Sequence, residues 1–139
     1  MAMPHRVDVR EPRPAVAARE DVAYQAFRIL QVGFVLAPLI AGIDKFFGLL
    51  VNWDQYLSPT IANLLPIAPH TFMLAVGVIE IVAAIVVATA PYYGGYLVTL
   101  WLWGIIVNLL LAGAWYDIAL RDFGLSLGSA ALARLARRY

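Results

Sequence analysis

The sequence predicts an all-α integral membrane protein: a four-helix bundle with a surface-lying amphipathic segment between helices one and two. Three observations predict it. Of 139 residues, 63% are hydrophobic and only 14% charged, with mean hydropathy +0.78, where a soluble domain typically carries about 25% charged residues. A chain this short cannot hide such a surplus in a water-surrounded core, because small domains expose a large share of their surface. Four stretches can each reach the roughly 20 residues that cross a bilayer at about 1.5 Å per residue. The basic residues are unevenly spread: Arg6, Arg10, Arg13, Arg19 and Arg28 lie before or at the start of the first stretch and Arg134, Arg137 and Arg138 close the last, leaving Lys45 and Arg121 on the other side. Cytoplasmic loops carry such an excess, so both termini are expected in the cytoplasm, which requires an even number of spans.

Residues 1–21 read as a cytoplasmic tail, disordered or ordered only by a partner. They hold Pro4, Pro12, Pro14, four arginines and four acidic residues. So few large apolar side chains cannot offset the entropy of ordering. No short apolar core with a small-residue cleavage site follows, so a signal peptide is not expected. Residues 22–139 form the transmembrane domain. Span one covers Val22 to Val51, with a kink expected at Pro38. Span two covers Thr71 to Ala90, and a tight hairpin at Pro91 to Gly95 leads into span three, Tyr92 to Tyr116. Span four, Asp117 to Leu135, has the weakest pattern, since Arg121 and Asp122 lie in its first turns.

The long connection runs from Asn52 to His70. Trp53, Tyr56, Leu57, Ile61, Leu64 and Leu65 recur there at three- and four-residue steps, the pattern of a short amphipathic helix on the membrane surface. Trp53, Tyr56, Trp115 and Tyr116 on one side, and Tyr92, Tyr93 and Tyr96 on the other, suit aromatic belts.

Each span carries one small-or-polar stripe: Arg28, Gln31, Val35, Pro38, Gly42 and Lys45; Gly77, Glu80, Ala84 and Ala88; Trp101, Gly104, Asn108, Ala112 and Trp115; Asp117, Arg121, Gly124, Gly128 and Ala131. Small residues let helices approach in lipid and polar ones bond across the contact. An ionised side chain near the bilayer centre costs at least about 3 kcal/mol unless paired or wet. Lys45, Glu80, Asn108, Arg121 and Asp122 are therefore the candidate site, expected to converge in the outer half of the bundle with Asp44 and Asp117 near its mouth. Two readings stand side by side: a pocket for a small ligand, quinone headgroup or proton, and a nearly self-neutralising ion-pair network that fixes helix register.

Several chemistries are excluded. With no cysteine, the chain has no thiolate metal site, iron–sulfur cluster or covalent haem attachment. Its two histidines are His5, in the tail, and His70, at the outer interface, so no bundle pair can ligate haem and no metal site is expected. Phosphate loops, metalloprotease helices and nucleophile elbows are absent. No basic patch for nucleic acid remains beyond the membrane-flanking arginines.

The run Gly42-Ile43-Asp44-Lys45-Phe46-Phe47, followed by Trp53 and Tyr56-Leu57-Ser58-Pro59, resembles the first-helix and loop signature of DoxX-like membrane proteins. Glu80 and the Arg121-Asp122 pair resemble that family's other recurring polar positions. The resemblance spans Phe27 to Leu135. It implies a four-helix fold in the bacterial inner membrane and an association with redox chemistry, with Lys45, Glu80, Arg121 and Asp122 as the family's polar cluster. On this basis the expected role is an accessory or structural subunit of a larger redox or respiratory membrane complex, not catalytic by itself. The alternative is a quinone-linked oxidoreductase component binding quinone at Lys45, Glu80 and Arg121. No cofactor is expected to be held by this chain alone, though a diffusible quinone fits the alternative. The expected partners are the lipid bilayer and other membrane subunits, the latter met through the tail and the 52–70 loop.

Overall fold

The structure is a computed structural model that describes the backbone of residues 14–139 and the side chains of residues 22–139. Every regular element among the described residues is helical: α1 (Pro14–Phe47), α2 (Pro59–Leu64), α3 (Pro69–Thr89), α4 (Pro91–Ala112) and α5 (Tyr116–Ala136), with a 3-10 turn at Trp53–Tyr56 before α2. The first four helices each begin on proline, whose fixed φ and missing N–H suit the first helical position. That rule relocates two expected boundaries. Pro91 to Gly95 is the first turn of α4 instead of a hairpin, and the reversal is made at Ala90 alone. Residues 14–21, which the sequence assigns to the tail, belong to α1, where Pro14 is followed by alanines, the best helix formers. The rest of the expected tail, including His5, lies outside the described residues.

α1 continues through Pro38 and ends at Phe47, short of the expected Val51, because Gly48 turns the chain at φ 65°. The amphipathic helix expected in the connection is instead two short pieces. Asn52 caps the 3-10 turn by accepting from the Asp54 N–H, and Ser58 caps α2 by accepting from the Thr60 N–H. Pro59 holds Ser58 extended between them, so the periodic side chains cannot share one continuous helix. α4 ends at Gly113, in the left-handed region at φ 69°. Trp115 is left-handed too, at φ 62°, just before α5.

The four long helices pack antiparallel. In the α1–α3 pair, Gln31 donates to the Val87 and Ala88 carbonyls while, farther along, Gly42 meets Gly77. In the α4–α5 pair, the Thr99 and Ser129 hydroxyls lie 2.7 Å apart, and a Cβ on Gly95 would meet Ser129 and Ala133. Phe34 against Gly128 joins α1 to α5, and Gly94 against Val87 closes the α3–α4 corner. At one end of the bundle the ring of Tyr139 meets Tyr24 and Phe27. The other end carries the 48–68 connection. The core is led by Phe27, Phe34, Ala83, Val87, Val98 and Leu132.

Outward faces are apolar: Ile29, Ile40, Val82, Leu100, Val107 and Leu127 are all exposed. Val22–Phe47, Pro69–Thr89 and Pro91–Ala112 are long and apolar enough to cross a membrane, which marks a membrane protein in contact with lipid. α5 matches them in length but carries Asp117, Arg121, Asp122 and Arg134.

Two expected stripes are displaced. α4 buries Gly94, Gly95, Val98, Leu102, Ile106 and Leu109, whereas Gly104 faces outward. α5 buries Ala119, Asp122, Ser126, Ser129 and Ala133, whereas Asp117, Arg121, Gly124 and Ala131 face outward. Both helices carry small residues on more than one face, and each buries the face that fits its neighbour most closely.

Candidate functional site

Lys45 and Glu80 form the centre of the site. Lys45 lies in the last turn of α1, and Glu80 lies midway along α3. Their Nζ and Oε1 atoms are 2.7 Å apart, with side chains 3% and 8% exposed. The helices come together here because neither Gly42 nor Gly77 has a side chain. A Cβ on Gly77 would lie 2.8 Å from the Gly42 carbonyl and 3.1 Å from the Lys45 Cβ. The approach that needs two glycines is thus the one that lets the ammonium reach the carboxylate.

Lys45 is covered on its other side by Trp53, whose ring centroid lies 3.9 Å from Nζ. A desolvated cation over an indole gains about 2 kcal/mol. Asp44, the preceding residue, fixes that indole. Its carboxylate accepts from the Trp53 indole N–H at 2.8 Å and from the Leu49 and Leu50 backbone N–H groups at 2.9 and 3.0 Å. Adjacent residues therefore divide the work: Asp44 folds the turn and aims Trp53, and Lys45 pairs across to α3. The sequence places Trp53 in an aromatic belt and Asp44 at a pocket mouth. Their joint role was not legible, because it depends on the turn allowed by Gly48.

The remaining candidates do not all converge on this pair. Asn108 holds the connection: its Nδ2 donates to the Tyr56 carbonyl at 2.7 Å and its Oδ1 accepts from the Ser58 N–H at 2.8 Å. Both its polar atoms are committed to backbone that would otherwise be unpaired between the two short helices. Arg121 points away from the bundle, its side chain 65% exposed, and reaches back only to Asp122 at 3.5 Å. Asp122 is buried on the inward face of α5. The structure thus joins Lys45 to Glu80, buries Asp122 on α5, and leaves Arg121 and Asn108 outside. Asp117, expected near the mouth, is exposed.

At the far end of α1, Gln31 ties α1 to α3 and accepts from Arg28 at 2.8 Å. On α4, Trp103 faces outward against Phe123, while the Trp101 indole N–H is buried with no hydrogen-bond partner among the described residues. His70 bonds Asp54 at 3.0 Å on the surface, the solvated helix-start position its sequence context suggests. Among the described residues no group of three or more His, Cys, Asp or Glu is placed to hold a metal ion.

Comparison with models of known families, with curated proteins and with solved structures finds no match to this chain.

Proposed function

We propose that this chain is a four-span integral membrane subunit of a larger redox or respiratory assembly, accessory in role. The observation that carries the accessory part is the closed Lys45–Glu80 pair: ammonium and carboxylate 2.7 Å apart, with Trp53 over the cation. Such a pair spends its charge holding α1 to α3 and leaves none for a substrate. The redox part rests on the DoxX-like resemblance. Partner subunits and lipid meet the outward apolar faces and the connection, where Leu49, Leu50 and Leu64 are exposed.

α5 supplies the fourth crossing. Its 21 residues span about 32 Å at 1.5 Å each, close to the hydrocarbon thickness. Asp122 faces inward, and Arg121 and Arg134 sit near enough to the helix ends to reach the interfaces. Four crossings put the described chain ends on one side, in keeping with the contact of Tyr139 with Tyr24. In the sequence, eight of the ten basic residues precede α1, lie in its first half or close α5, and the positive-inside bias then makes the end with those termini the cytoplasmic face of the inner membrane.

Purification of the full chain in mild detergent tests this reading: redox proteins should co-purify in fixed ratio, and a lone homogeneous species contradicts it. A second reading is favoured by Asp122, a buried carboxylate whose counter-charge is the exposed Arg121 beside it at 3.5 Å. It makes Lys45, Glu80 and Asp122 a quinone-headgroup site. Glu80→Gln should then abolish quinone-dependent turnover of the assembly while the bundle stays folded, and full turnover rejects it.

A further inference from the structure

A cavity of about 130 Å³ opens at the connection end, between the end of α1 and the start of α3. Asn52, Asp54 and His70 line its polar rim, Trp53 forms a wall, and Lys45 lies at its floor. At roughly 30 Å³ per liquid water the space takes about four waters, and the side chains supply the polar partners that hold them. The rim is wet: His70 and Asp54 pair at 3.0 Å with side chains 65% and 33% exposed. The floor is dry and charged, since Lys45 is bonded to Glu80. The cavity therefore runs from the exposed His70–Asp54 pair to Lys45, the member of the buried ion pair that lines it.

The charges around that ion pair are few. On α1, Asp44 is turned toward Leu49, Leu50 and Trp53. On α5, Asp122 is buried while Arg121 points outward. The described parts of α2 and α4 hold no ionisable Asp, Glu, Lys, Arg or His. Asp54 and His70 are then the ionisable groups on the water side of the floor.

We infer that this cavity is an aqueous vestibule through which protons from the connection side of the membrane reach the Lys45–Glu80 pair, with His70 and Asp54 as the proton-exchanging rim. Lys45 is the member of the pair that lines the cavity, so the transfer runs through it: the ammonium passes a proton across its 2.7 Å contact to a Glu80 carboxylate oxygen, and the amine takes the replacement from a hydronium, which is left as water. One N–H bond breaks and one forms, Glu80 gains an O–H bond, and the ammonium contact loosens. No electron moves. The inference is independent of the accessory role, because it concerns only which side of the membrane the pair senses.

The absence of cysteine makes the test clean. In proteoliposomes of known orientation, the thiol of Lys45→Cys/Glu80→Gln, which leaves no unpaired charge, should react with a small cationic thiosulfonate added on the connection side. The thiol of Ala84→Cys, 1% exposed on the same helix pair, should not. In the unaltered chain, the infrared carboxylate band assigned by its loss in Glu80→Gln should respond to a pH jump on the connection side and not to one on the other. His70→Ala should slow that response about tenfold or more, as loss of a positioned proton-transfer group does. A thiol at position 45 as inert as that at 84 would overturn the vestibule, as would a band that follows pH from the opposite side. An unchanged rate in His70→Ala would overturn the role of the rim.

Discussion

Gly42 and Gly77 face each other across the α1–α3 crossing so closely that a Cβ on Gly42 would lie 2.7 Å from the Gly77 carbonyl oxygen. The obstruction is backbone, which cannot swing aside. This crossing sits one turn from both Lys45 and Glu80, so helix separation and ion-pair geometry are one variable.

Gly42→Ala is predicted to destabilise the fold by about 1–3 kcal/mol, the usual cost of overpacking. Gly33→Ala meets nothing within 4 Å, and alanine is the better helix former by about 1 kcal/mol. It should be neutral or stabilising. Thermal unfolding in detergent should therefore move in opposite directions for the two variants. A shared direction would mean that the crossing is not tight.

Removing one partner of a buried ion pair strands the other, at a cost of about 3–5 kcal/mol. Lys45→Met and Glu80→Leu are each predicted to destabilise by that order. The double variant should recover most of the loss, because two apolar groups pack where two charges had to be paired. A double-mutant cycle on unfolding free energy measures the coupling. Strict additivity would show that the charges do not act on each other.

Asn108→Leu is predicted to leave the four long helices intact and free the connection, since the Tyr56 carbonyl and Ser58 N–H lose the side chain that bonds them to α4. Each unpaired group costs about 1–3 kcal/mol when it stays buried. The segment should move to water, and limited proteolysis should find new cleavage between Leu57 and Leu65. Unchanged resistance would mean that the connection is held by its apolar side chains.

How far the sequence was legible follows from what each feature depends on. The spans of α1, α3 and α4 are written as uninterrupted apolar runs, and their boundaries are marked by Pro69, Pro91, Gly48 and Gly113. For Glu80 the sequence offers Lys45 or Arg121 as partner; the structure pairs it with Lys45, whose stripe includes Gly42 as that of Glu80 includes Gly77. The inward face of α5 was not legible. Gly124 and Gly128 suggest one face, Ser126 and Ser129 another, and in lipid both are acceptable outward. The face chosen depends on Gly95 and Thr99 of α4, which is tertiary information. Arg121 was misplaced for that reason, and Asp122 takes the inward position beside it. Asn108 was singled out for its polarity, but its partners are backbone atoms of an irregular segment, which no side-chain pattern encodes.

The most direct measurement concerns α5, on which the four-crossing account depends. Single thiols introduced as Leu64→Cys and Arg137→Cys are separated in the chain by α3, α4 and α5. Three crossings between them put them on opposite sides of the membrane. An impermeant thiol reagent applied to intact cells should label position 64 and should reach position 137 only after the membrane is opened. Labelling of both positions in intact cells, or protection of both, would leave α5 on the surface and contradict the account.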